Sequence, residues 1–303
     1  MLLSSLLKEM NYNESYRILK EAEFQYLALA ELDIGYSTCI FIDSEKYIDN
    51  VARSVSMVLT TEELVPMLLE KTFGLCVVES PRDLYFNIHN YLSDKDYYKR
   101  IQFQTTIGTN CEISPLASVA MNNVVIGNNV VIEEFVVIRE NTYIGDNSIL
   151  RAGCIIGGQG FEFKRSDYDI YSVVHAGGVK IGVNVEIQYN TCVDRAVYPW
   201  DDTVIGDYCK IDNLVHIAHG VKLGPKVMIV ANSGIGGRTI IKEGAWIGFG
   251  ATIKNGVILG KKARANMGSV VTKEIPDNSS VTGNFAIEHS KFIQNLLKSL
   301  QED

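Results

Sequence analysis

From Ile205 onward, an aliphatic residue or alanine returns at every sixth position: Ile205, Ile211, Ile217, Leu223, Ile229, Ile235, Ile241, Ile247, Ile253, Leu259, Ala265 and Val271. Upstream the same spacing joins Ile126, Ile132, Ile138, Ile144, Leu150 and Ile156, then Ile181, Ile187 and Val193, with Ile107, Ile113 and Val119 one residue out of phase. A helix repeats at three and four residues and an ordinary strand at two, so a period of six excludes both as the repeating unit. It fits a β-solenoid with flat faces, in which one branched residue per face points into a prism and Gly, Asn or Asp follows near the corner. Three such faces make a coil of about eighteen residues, and the repeats suffice for about eight coils.

Two stretches break the beat. GQGFEFKRSDYDIYSVVHAG (158–177) is aromatic and charged, and RAVYPWDDT (195–203) carries Pro199 and Trp200; both read as excursions from corners, where a rigid scaffold usually builds its sites. Residues 1–100 follow other rules. SYRILKEAEFQYLALAEL mixes helical and strand-like spacing, STCIFID and FGLCVVES read as short buried strands, and YIDNVARSV and PRDLYFNIHNYLS have helical pattern, together a small α/β domain. Residues 101–282 are expected to form the solenoid. Residues 283–303 are expected to form a C-terminal helix with Phe285, Phe292, Ile293, Leu296, Leu297 and Leu300 on one stripe, packed on a neighbouring prism.

Bulk composition narrows the function. A net charge of −8 argues against a nucleic-acid binder, and no run approaches the roughly 18 apolar residues of a membrane span. The N-terminus lacks the pattern of a signal peptide, and the six cysteines are scattered with no C-x-x-C pair. That usage reads as reduced thiols in the cytoplasm.

Only five histidines occur, and two stand three apart in IDNLVHIAHGVKLG (211–224). Ile217 points inward, so His219 falls near the corner and can face outward. One coil later is Gly237, and coils stack about 4.8 Å apart, so its backbone N–H falls within reach of whatever His219 handles. A base beside a backbone donor that can meet an oxyanion is the layout acyl transfer needs. Asp212, seven residues earlier, and Asp201, one coil back if the insertion preserves register, are both candidates to support His219. His216 reads as an acceptor-positioning or structural group. A zinc site would need a third imidazole, with His175 the candidate, but the i, i+3 spacing fits that reading poorly.

The segment DDTVIGDYCKIDNLVHIAHGVKLG (201–224) resembles the active-site region of the UDP-3-O-acylglucosamine N-acyltransferases, hexapeptide-repeat enzymes with a left-handed parallel β-helix. The likeness continues through GFEF (160–163), GGVKIG (177–182), VEI (185–187), DR (194–195) and CVVESPRDLYF (76–86). It implies a homotrimer with sites between prisms, His219 as general base, Asp212 as its support and Gly237 as oxyanion donor. It implies substrate contacts from Asn213, His216, Phe161 and Phe163, and no metal or redox cofactor. It also implies a nucleotide base sandwiched at FIDSEKY by Phe41 and Tyr47, where Ser44 replaces the family's asparagine. Three departures stand out: Gly256 replaces a second histidine, the C-terminal extension is short, and residues 268–286 resemble coenzyme A-dependent sugar acetyltransferases. The expectation is an N-acyltransferase that moves an acyl group from acyl-CoA to a nucleotide-linked amino sugar for surface polysaccharide or lipopolysaccharide assembly. The alternatives are the lipid A enzyme itself, fed by acyl carrier protein, and a non-catalytic scaffold.

Overall fold

In a computed structural model, which describes residues 1–165, 169–283 and 288–299, the six-residue beat builds a parallel β-helix. Its strands are two to four residues long and stack into three sheets of nine, eight and eight strands, one per prism face. Register advances by one coil: Lys210 pairs with Met228, Met228 with Trp246 and Trp246 with Arg264. Every beat from Ile126 to Val271 is buried in one continuous core, each large aliphatic contributing about 1.5–3 kcal/mol over its exposed state. The corners explain the Asn, Gly and Asp that follow the beat. Asn110, Asn129, Asn147 and Asn184 all adopt φ near +55° to +58°, a left-handed turn that Asn tolerates better than branched residues.

The beat fails at the open end. Ile107 is exposed and Ile113 and Val119 are only partly buried, because no coil stacks beneath the first one to close the prism.

The N-terminal residues form a five-stranded sheet from β1 (Tyr16–Lys20), β2 (Tyr26–Leu27), β3 (Thr38–Ile42), β4 (Val55–Thr60) and β5 (Gly74–Val78), in the order β1-β5-β4-β3-β2. Helix α1 (Leu3–Glu9) buries Leu3, Leu6 and Leu7. The short α2 (Val65–Leu68) precedes β5. Helix α3 spans Pro81–Ser93, opened by proline in its first turn, and covers PRDLYFNIHNYLS as expected. YIDNVARSV does not form a helix. Only Glu45–Tyr47 makes a 3₁₀ turn, the Ala52 N–H is spent on the Ala30 carbonyl at 2.8 Å, and Val55 opens β4.

Both insertions fold back onto this domain. Val173, Val197 and Tyr198 share a core with Leu27, Cys39, Tyr85 and Ile88. Trp200 stacks on Tyr198 and donates its indole N–H to the Leu27 carbonyl at 2.9 Å. His89 of α3 holds the Val174 carbonyl at 2.8 Å, and Tyr85 donates to the Tyr198 hydroxyl at 3.0 Å. The long insertion forms a hairpin, Phe163–Arg165 against Ile170–Ser172. Near the C-terminus α4 runs from His289 to Ser299 with Ile293 and Leu297 exposed; Phe285 and Leu300 lie outside the described residues. The described residues include no helix long and apolar enough to cross a membrane, and all six cysteines are free thiols.

Candidate active site

His219 follows the strand His216–Ile217 and sits at a corner, its side chain only 12% exposed. The next coil lies directly above it, and the Arg238 N–H donates to the His219 carbonyl at 2.9 Å. A Cβ placed on Gly237 would sit 2.7 Å from both Cε1 and Nε2 of the imidazole. Only glycine lets the backbone come this close to the ring. Among the described residues the Gly237 N–H donates to no protein group.

The long insertion brings the rest. Glu162 reaches His219, with Oε2 3.1 Å from Nε2, while its Oε1 accepts from the Lys164 ammonium. Burial works against ionising Glu162, but the bonds and charges of His219 and Lys164 outweigh it and lower its carboxyl to about 2. His175 is buried and stands edge-on to His219 at 5.4 Å between ring centroids. Burial, aided by the charge of His219, lowers it to about 4, so it is neutral at pH 7. His216 is bonded instead to Asp194 at 2.9 Å, and that bond raises its pKa. Among the described residues no group of three or more His, Cys, Asp or Glu side chains is placed to hold a metal.

A cavity of about 400 Å³ opens between the N-terminal domain and the prism. The domain contributes Phe41, Tyr47, Arg82 and Phe86, the hairpin Glu162 and Lys164, and the coil above His219 contributes Arg238. Phe41 comes from β3 and Tyr47 from the 3₁₀ turn, and the Arg82 guanidinium lies 5.5 Å from the Phe41 ring. The cavity therefore runs from the two aromatics expected at a nucleotide base to the carboxylate that touches His219.

Several expected residues lie elsewhere. Ser44 precedes the 3₁₀ turn without a side-chain capping bond and does not line the cavity. Phe161 and Phe163 pack on each other at 4.9 Å and face outward, Phe161 being 86% exposed. Asp212 and Asn213 occupy a different prism edge. Asp212 accepts from Asn213 and from the Ala231 N–H, and Asn213 accepts from the Tyr189 N–H. Seven residues in this prism is a face plus one, so Asp212 and His219 of one chain sit at neighbouring corners. Asp201 is not bonded to His219 among the described residues. The second insertion bulges between the Val193–Ile217 and Val204–Lys222 pairings, so Arg195 lies one coil back from His219 by the first register and Asp201 by the second. Asp201 binds Lys222 at 2.5 Å. Glu162 and Asp194 stand within the quoted GFEF and DR segments, but the sequence assigns neither a role; the return of Glu162 to His219 depends on the hairpin's fold.

The fold is a parallel β-helix built on a six-residue beat. Residues 123–158 and 202–237 match the family described as bacterial transferase hexapeptide (six repeats). The chain is 47% identical over 89 residues to UDP-3-O-acylglucosamine N-acyltransferase 2 of Legionella pneumophila, covering 29% of this chain and 25% of that protein. It is 48% identical over 90 residues to the UDP-3-O-acylglucosamine N-acyltransferase of Rickettsia akari, covering 30% and 25%. The chain thus spans about a quarter of the length of the curated relatives it matches. Among solved structures it is similar to UDP-N-acetylglucosamine acyltransferase from Campylobacter jejuni, with a TM-score of 0.54 and 26% identity over 59% of this chain and 68% of that one.

Proposed function

We propose that this protein is an acyltransferase that moves an acyl group from a thioester, acyl-CoA being favoured, to the amine of a nucleotide-linked amino sugar. The observation that carries the reading is the close approach of Gly237 to His219, whose imidazole touches Glu162, a residue that lines the same cavity as Phe41 and Tyr47. In this reading His219 takes a proton from the attacking amine and returns it to the leaving thiolate, a task suited to imidazole near pH 7. The Gly237 N–H meets the oxyanion of the tetrahedral intermediate, where one backbone donor is typically worth about 10²–10³ in rate. The nucleotide base lies against Phe41 and Tyr47, and Arg82 and Arg238 offer charge to the diphosphate. Asp212, one prism edge away, would serve the site of a neighbouring copy in a homotrimer.

One second reading has its own support. The names of the curated relatives favour UDP-3-O-acylglucosamine as acceptor, with a 3-hydroxyacyl carrier protein as donor. The test is acyl transfer read by mass spectrometry, with UDP- and dTDP-amino sugars against coenzyme A thioesters and acyl carrier protein thioesters. A coenzyme A-dependent amide supports the first reading. An amide formed only from the carrier protein and UDP-3-O-acylglucosamine supports the second, and no product from any pair defeats both.

A further inference from the structure

The two nitrogens of His219 have opposite surroundings. Nε2 lies on the Gly237 side and 3.1 Å from Glu162, whereas Nδ1 is buried with no hydrogen-bond partner among the described residues. A carboxylate that orients a catalytic imidazole bonds the nitrogen facing away from the reaction, as in Ser-His-Asp triads. Glu162 does the reverse and stands on the reaction side, where the acceptor must come. Its other oxygen is already occupied by an ammonium, that of Lys164, which also lies 4.2 Å from the centre of the Phe86 ring. Glu162 and Lys164 both line the cavity.

We propose that Glu162 is the acceptor-binding residue that recognises the sugar's amine as an ammonium, and that the Lys164 ammonium fills this place until the substrate arrives. The inference rests on the function proposed above and deepens it by assigning Glu162 the recognition of that amine in its protonated form. A protonated amine can bridge Glu162 and the Nε2 edge of His219 with charge-assisted bonds. A hydroxyl brings no charge to offset displacing Lys164. In the free protein the Nε2 edge faces Glu162; once the ammonium takes over the carboxylate, Nε2 accepts from the ammonium in the tautomer whose ring hydrogen is on Nδ1. One proton of the ammonium leaves to water and a second passes to Nε2 as the C–N bond forms. The oxyanion collapses, the C–S bond breaks, and the thiolate takes the proton from Nε2. The balance is one amide, one thiol and one proton.

The test compares UDP-linked sugars bearing an amine at carbon 2, 3 or 4 with their hydroxyl counterparts. Binding is measured without thioester and turnover with it, for wild type, Glu162→Gln and Lys164→Met. Wild type is expected to bind one amine form well above its hydroxyl partner. Glu162→Gln should lose about 30-fold or more of affinity for the amine form while keeping its affinity for the hydroxyl form. Lys164→Met, which frees the carboxylate, should lower KM for the amine several-fold. If Glu162→Gln turns over with the wild-type preference intact, this inference fails and acyl transfer stands. If wild type neither binds nor acylates any amine, both fail.

Discussion

Gly237→Ala is the sharpest structural test of the proposed site, because alanine keeps the backbone N–H and changes only the space beside the His219 imidazole. The added methyl would lie 2.7 Å from Cε1 and Nε2 of His219, whereas carbon contacts settle at about 3.5–4.0 Å. The ring must therefore retreat by about 0.8 Å. Its freedom to do so is small, since Glu162 holds Nε2 and His175 stands edge-on beside it. A misplacement near 1 Å costs on the order of 10²-fold in rate, and impaired oxyanion binding adds to that. The expected result is a fall in kcat/KM of about 10²–10³, or about 3–4 kcal/mol of transition-state stabilisation. Overpacking should cost only about 1–3 kcal/mol of stability. Initial rates of thiol release and a thermal melt separate the two effects. A folded Gly237→Ala protein within threefold of wild-type kcat/KM would refute the assignment of Gly237 and His219 to one reacting centre.

Three further outcomes follow from the same geometry. Phe41→Ala should raise KM for the nucleotide sugar by roughly 5–150-fold with a smaller effect on kcat, since base–aromatic stacking is worth about 1–3 kcal/mol; an unchanged KM would place the nucleotide elsewhere. Burial lowers His89 to about 4, so the unfolded chain binds a proton below about pH 6.5 that the folded one refuses. Stability should therefore fall as pH drops from about 6.5 towards 4, with His175 acting in the same sense, and His89→Gln should flatten this slope in melts taken across that range. Trp200→Ala removes the stack on Tyr198 and the bond to Leu27; it should lower stability by about 3 kcal/mol and raise KM as the cavity wall loosens, measured by urea unfolding and initial rates.

The solenoid was legible because a six-residue beat leaves one buried residue per face and allows few alternatives. The stacking of Gly237 over His219 was legible for the same reason: between 205 and 271 the coil is regular, so addition along the chain is addition along the prism axis. The arithmetic failed wherever the coil is irregular. The extra residues around Tyr198–Trp200 make two faces of one coil run in different registers, and Asp201 spends its carboxylate on Lys222; at the other end Ile107, on the first coil, is exposed. Glu162 was hidden because its place depends on a hairpin clamped by Tyr171, Asn90 and His89 against α3, contacts far apart in the chain. Phe41 and Tyr47 carried a local pattern and do line the cavity, whereas the outward turn of Phe161 and Phe163 is set by that same hairpin.

Whether His219 accepts the proton of an amine attacking a thioester is read from kcat/KM of wild type against His219→Ala at pH 7. The measurement uses the thioester and amino sugar that give product, with circular dichroism confirming that the variant is folded. A loss of about 10³-fold or more is expected if the imidazole is the base. A folded His219→Ala protein that acylates the amine within tenfold of wild type would contradict it.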